Sequence, residues 1–213
     1  MAKAPLGILG PTSGKVGPII TSSWKGIPYI RSKGKKRNKR KARTPAQIAA
    51  MGTFNYLNKW LSPFTTYIQV GLANKAVGKT ELNVAYTENY YGALKGSYPA
   101  LSMDYSKVCF SAGVLPGLEQ ALVERTPEGT VSISWSVAYQ EGTDYTDQVI
   151  LIVYEFEGKM VEGQVALAQR GQGTCSYQLS ELMSGKPVQV FVFVAMVNRK
   201  EVSDTQYLGE LLP

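Results

Sequence analysis

Histidine is absent from the chain. That removes the commonest general base and the commonest metal ligand together. A serine or cysteine nucleophile would lack its usual imidazole partner. Ser–Lys chemistry needs no histidine, but no motif suggests it. Cysteine is nearly absent too, with only Cys109 and Cys175. Both fall in segments that read as strands, where cysteine serves as a small apolar residue, and without an export signal a structural disulfide is not expected. There is no run of 18 apolar residues, so no transmembrane helix is predicted. The first 20 residues hold only Ile8 with Leu9 and Ile19 with Ile20 as apolar pairs, split by glycine and proline. A signal peptide needs about 7–15 continuous apolar residues. The expected location is the cytoplasm, or a virion if the protein is a particle component. The most informative deficit is of acid. Residues 1–80 contain 15 Lys and Arg and no Asp or Glu, whereas residues 81–213 contain 8 basic and 16 acidic residues. Such asymmetry points to an interaction tail rather than an evenly solvated surface.

Three textures follow one another along the 213 residues. Residues 1–43 form a glycine-rich basic arm. Its Val16, Ile19, Ile20, Trp24, Ile27, Tyr29 and Ile30 are unlike a bland linker. They suit an extended arm that docks its apolar side chains, or a strand pair from about residue 15 to 31. The arm ends in a charge run, residues 31–43, in which nine of thirteen positions are basic. Residues 44–96 read as helical. Thr44-Pro45-Ala46-Gln47 is a start signal, and Ile48, Met51, Phe54, Leu57 and Leu61 recur at helical spacing. Ser62-Pro63 restarts the chain, with Phe64, Tyr67, Ile68 and Leu72 inward. A third helix follows Thr80, using Leu82, Ala85, Tyr86 and Tyr90. From residue 97 the pattern is β, with seven strands expected near 101–110, 130–138, 147–156, 162–169, 174–180, 187–197 and 205–212. Regular turn signals between them predict an antiparallel β-sandwich of immunoglobulin or fibronectin type. The expected fold is therefore α+β: basic arm (1–43), short helical segment (44–96) and sandwich (97–213).

Several stretches carry a family likeness: Gly7-Ile8-Leu9-Gly10, Ser13-Gly14-Lys15-Val16-Gly17, Ser23-Trp24-Lys25-Gly26-Ile27-Pro28-Tyr29-Ile30-Arg31, Lys95-Gly96-Ser97-Tyr98-Pro99 and Asp104-Tyr105-Ser106-Lys107-Val108. With Val202-Ser203 and Tyr207-Leu208-Gly209 near the end, they resemble a family of uncharacterised Bacteroidota proteins defined by a domain of unknown function. The resemblance spans nearly the whole chain, and Trp-Lys-Gly-x-x-Tyr-Ile-Arg is its most specific part. It implies a bacterial or bacteriophage-related origin and brings no catalytic residues with it. The tract after Arg31 is more densely basic than the family pattern, so a strong nucleic-acid function would be peculiar to this member.

The candidate binding residues are Arg31, Lys33, Lys35, Lys36, Arg37, Lys39, Arg40, Lys41 and Arg43, with Trp24 and Tyr29 upstream. Lysine and arginine neutralise phosphates and release counterions, which drives sequence-independent binding to DNA or RNA. The two aromatics can stack on bases or pack on the protein itself. An acidic protein surface is the competing partner for the cations, and a merely solvated tail is the third reading. Residues 73–80 fit a relaxed phosphate-loop pattern, but they follow a predicted helix. Gly78 ending one element and Thr80 capping the next is the simpler reading. Asp144 with Asp147, and Glu155 with Glu157, read as solvated surface rather than a catalytic pair. The expected protein is a non-enzymatic, homo-oligomeric binder of nucleic acid. The alternative is a self-assembling particle component whose basic arm docks on a neighbour's acidic sandwich. No cofactor, metal or membrane contact is expected.

Overall fold

The computed structural model describes residues 2–3, 13–34, 42–138 and 140–213. Two compact units emerge, Met1–Thr44 and Pro45–Pro213.

The first unit is a small antiparallel sheet. Its strands are β1 (Ala2–Lys3), β2 (Gly14–Val16), β3 (Ile19–Trp24) and β4 (Ile27–Ser32), in the order β1-β4-β3-β2. Of the two readings of this segment, strand pairing is the one present. The glycines that break helical periodicity mark hairpin turns. Lys25 and Gly26 join β3 to β4 with φ of 47° and 77°, and positive φ at both central residues of a two-residue loop matches the strand twist. The Lys33 N–H donates to Pro18 O at 2.7 Å and closes the open end. None of this unit's side chains, among the described residues, is buried.

The second unit is a layered α+β body. A three-stranded sheet orders β11 (Thr174–Gln178), β8 (Thr130–Ser136) and β7 (Glu119–Arg125). A four-stranded sheet orders β10 (Met160–Gln169), β9 (Gln148–Glu155), β12 (Val188–Ala195) and β13 (Gln206–Leu211). Every pairing is antiparallel, and the two sheets form the expected sandwich. The inter-sheet core holds Val131, Ile133 and Trp135 against Val149, Leu151, Val153, Val190, Val192 and Val194.

A helical layer covers the other face of the four-stranded sheet: α1 (Pro45–Leu61), α2 (Thr65–Gly71) and α3 (Glu81–Gly92). Leu57, Leu61, Phe64, Ile68 and Leu72 pack there with Ile150, Ile152, Phe191 and Phe193. The change of texture at residue 97 is thus a change of secondary structure inside one unit. A short hairpin, β5 (Leu94–Ser97) with β6 (Ala100–Met103), joins the helices to the sandwich.

Helix boundaries follow the local chemistry. Pro45 is the first residue of α1, where its missing N–H is not needed. The Thr80 hydroxyl accepts from Asn83 N at 3.2 Å and caps α3. Phe64, Tyr67, Ile68 and Leu72 are buried as expected. The stripe of α1 is buried only in its second half: Leu57, Trp60 and Leu61 are inside, whereas Ile48, Met51 and Phe54 are 47%, 40% and 53% exposed.

Six of the seven expected strands are sandwich strands. The segment expected near 101–110 is a strand only to Met103 and then turns through a 3-10 helix, Tyr105–Lys107. The strand missing from the reading is β7, an edge strand that shows only weak alternation. Its ladder to β8 shifts register between Glu119 and Leu122, Gln120 sits at φ 50°, and Leu122 is exposed. A bulge of this kind breaks the period-two signal that identifies a strand.

Because Phe193 and Ile150 form a cross-strand pair facing the helical layer, Phe193→Ala is expected to cost about 3–5 kcal/mol. Urea unfolding followed by far-UV circular dichroism should show strands and helices lost in one transition of lower midpoint.

Candidate nucleic-acid interface

The register of β3 and β4 decides which N-terminal side chains share a face. Trp24 pairs with Ile27, Ser22 with Tyr29 and Ile20 with Arg31, and Lys15 of β2 pairs with Ile20. Directly opposed residues point to the same side of a sheet. One face therefore carries Trp24, Ile27, Tyr29, Ile20, Arg31 and Lys15 as three rungs, about 7 Å apart at the rise of an antiparallel strand. The aromatic end lies at the Lys25-Gly26 turn and the cationic end at the opening of the hairpin. Trp24 is 42% exposed, and the Lys25 ammonium stands 5.7 Å from its ring centroid.

Three of the residues expected to bind are thus brought together: Trp24, Tyr29 and Arg31. Lys33 follows β4 and Arg43 precedes α1, both exposed. Lys35, Lys36, Arg37, Lys39, Arg40 and Lys41 lie outside the described residues. Lys15, Ile20 and Ile27 belong to the same face; the two isoleucines were expected as apolar docking residues, but none of the three was counted among the binding residues. Their signal is the alternation Ile20-Ser22-Trp24 and Ile27-Tyr29-Arg31, legible once Gly26 is read as a turn.

The electrostatics of the unit have one sign. Residues 1–44 carry 12 basic and no acidic side chains, against 11 basic and 16 acidic in residues 45–213. At physiological salt the screening length is about 8 Å, so an anionic partner must touch this face to feel it. Aromatic rings among cations suit nucleic acid chemically, since every base has a π-face and every nucleotide a phosphate.

A family model for proteins of unknown function, DUF6266, matches residues 11–209. The chain belongs to the DUF6266 family. The match covers the β2–β4 sheet, the helical layer and nearly all of the sandwich. No curated protein matches the sequence.

Elsewhere in this DUF6266 chain the reactive-looking residues have structural work. Asp147 and Glu155, read from sequence as solvated, are buried. Asp147 Oδ2 lies 3.3 Å from Arg170 Nε and accepts from Asp144 N at 3.0 Å. The same guanidinium donates to Pro116 O at 2.6 Å and Gly117 O at 2.8 Å, and Trp135 Nε1 donates to Arg170 O at 2.7 Å. Glu155 accepts from Glu157 N at 2.6 Å and Gly158 N at 2.7 Å, closing the β9–β10 turn, with Lys186 Nζ 3.8 Å away. Turn residues placed these carboxylates at element ends, but the backbone N–H groups there draw them inward. Asp144 and Glu157 are exposed. The Asp144 carboxyl is held below its usual range by the Thr146 N–H and hydroxyl.

Residues 73–80 follow α2 rather than a strand, pass through a 3-10 turn and cap α3. Lys75 pairs with Glu88 at 3.7 Å. Cys109 and Cys175 are free thiols that burial pushes up to about 11, too high for an active nucleophile at neutral pH. Among the described residues, no group of three acidic or cysteine side chains is placed to hold a metal.

The buried Arg170–Asp147 pair makes a sharp expectation. Arg170→Met strands a carboxylate in the interior and should cost about 3–5 kcal/mol. Asp147→Asn combined with Arg170→Met should recover part of that loss, and a double-mutant cycle in urea measures the coupling.

Proposed function

We propose that this DUF6266 protein is a non-enzymatic, nucleic-acid-associated protein whose N-terminal unit grips a phosphate backbone without sequence specificity. One observation carries the reading: Trp24, Tyr29 and Arg31 share a face of a sheet in a unit with no acidic residue. The basic tract that follows supplies phosphate contacts, and the aromatic rungs supply sequence-tolerant stacking. The likeness of the Trp-Lys-Gly-x-x-Tyr-Ile-Arg stretch to Bacteroidota proteins supports a bacterial or bacteriophage setting, in the cytoplasm or a virion.

Self-assembly is the second reading, favoured by apolar side chains that the described residues leave uncovered. Val16 is 75% exposed on the opposite sheet face from Trp24, and Ile48, Met51 and Phe54 line an open side of α1. A second copy of the chain is the partner that suits these surfaces, because a unit with 12 cations and no acid would meet a body with a surplus of five acids. Such head-to-tail contacts build rings or filaments.

Neutralising Lys35, Lys36, Arg37, Lys39, Arg40 and Lys41 should abolish retention of DNA and RNA in a filter-binding assay, and unchanged retention rejects the first reading. With about six phosphates contacted, wild-type affinity should fall about 10³-fold between 50 and 200 mM salt. For self-assembly, light scattering after gel filtration should show a large species that becomes monomeric when residues 1–43 are deleted. A full-length monomer at low salt rejects that reading.

A further inference from the structure

In the second unit, a cleft of about 210 Å³ opens between the C-terminal half of α1 and the β9–β10 turn. Its floor is Trp60 and Tyr154, 9% and 3% exposed, with ring centroids 5.9 Å apart and planes at 79°. Tyr105, from the 3-10 turn after β6, leans against Tyr154 at 6.0 Å. Tyr56 lies one helical turn before Trp60 on the same face of α1, and Phe156 forms part of the rim. Five aromatic side chains therefore meet at one opening, of which Phe156 is exposed and Tyr56 and Tyr105 are half-buried.

The polar groups of the cleft have a single sign. Lys59 and Lys159 stand at the rim, both exposed, and neither forms an ion pair among the described residues. No carboxylate lines the cleft. Glu155, next in sequence to Tyr154, is committed to the N–H groups of its own turn. Glu210 acts on Tyr105 through its charge but is not part of the lining. The phenols remain neutral donors, because burial raises Tyr56 and Tyr105 and pushes Tyr154 up to about 12. Lys159 holds φ 55°, a left-handed conformation that costs a residue with a Cβ and would cost glycine nothing.

Size and chemistry narrow the ligand. Sites for drug-sized molecules run to roughly 300–1,000 Å³, so this cleft suits one ring system rather than a dinucleotide. Aromatic walls select a flat π-face, and two unpaired ammonium groups at the mouth select an anion attached to it.

We propose that the cleft receives a single nucleotide, its base against the Trp60, Tyr105 and Phe156 rings and its phosphate on Lys59 and Lys159. This rests on the reading of the protein as nucleic-acid-associated and gives it a second, base-sized contact. The nucleotide is either free or one residue of a single strand.

Isothermal titration of the full-length protein with AMP, UMP, adenosine and a 12-nucleotide single strand tests it. AMP and UMP should bind saturably, and adenosine at least tenfold more weakly for want of its phosphate. Lys59→Gln with Lys159→Gly should weaken AMP about tenfold while leaving the melting temperature unchanged, since glycine suits position 159. Weakening of the 12-mer as well assigns the site to a strand, and weakening of AMP alone assigns it to the free nucleotide. Equal affinity of wild-type and variant for both overturns the inference. Neutralising the six cations of residues 35–41 separates this from the function proposed above: strand retention disappears and AMP binding stays. Conversely, if the wild-type protein holds DNA and the cleft variant holds AMP and DNA equally well, only the cleft assignment falls.

Discussion

The four-stranded sheet has two apolar faces, and each must be kept from water. Alternate residues of β9 and β12 point to opposite sides, so Leu151, Val153, Val190 and Val192 enter the sandwich core while Ile150, Ile152, Phe191 and Phe193 need a different cover. A two-sheet sandwich leaves the second set exposed. The helices supply that cover through Leu57, Leu61, Phe64 and Ile68, assisted by Phe110, whose ring lies 4.4 Å from Phe64 and 5.2 Å from Phe191. Burying one such side chain contributes roughly 1.5–3 kcal/mol, so the helical layer is part of the sandwich's stability rather than an appendage.

The buried charged groups at the two ends of β9 obey the same rule. A buried charge is tolerated where it is paired and its hydrogen bonds are filled. Arg170 meets that condition by tying Asp147 to the carbonyls of Pro116 and Gly117, in the segment leading into the edge strand β7. Glu155 meets it by capping its own turn. Carboxylates so occupied are unavailable for acid–base work.

The parts of this arrangement legible in the sequence were those with strong local periodicity. Val131 to Val137 alternates, and β8 sits where that alternation places it. Val190 to Ala195 is continuously apolar because β12 is buried on both faces. What escaped was set by local backbone irregularity or by contacts distant in sequence. The β7 strand carries a bulge that erases its period, and its partner β8 lies across a turn. The N-terminal hairpin was legible only as one of two readings, because a glycine whose positive φ permits a turn breaks a helix just as readily. The site showed the same division: the charge run and Trp24 with Tyr29 are visible as composition, whereas their shared face depends on register. The aromatic cleft was illegible, since Tyr56, Tyr105 and Tyr154 become neighbours only when the helix, the 3-10 turn and the β9–β10 hairpin pack together.

Under the nucleic-acid proposal, charge and ring chemistry would divide the labour of recognition in a consistent way. Cations attract any polyanion and fix no register, because phosphate contacts carry no sequence information. Rings act only within contact distance and accept every base, because each offers a π-face. A protein that joins the two gains affinity without base preference. The N-terminal sheet has both in one face, with Arg31 two residues from Tyr29. The cleft has both again, with Lys59 between Tyr56 and Trp60 in sequence and Lys159 beyond Phe156. That pairing of an unopposed cation with an accessible ring, recurring in a unit with no acid and in a cleft lined by none, is what ties the nucleic-acid reading to specific side chains rather than to net charge alone.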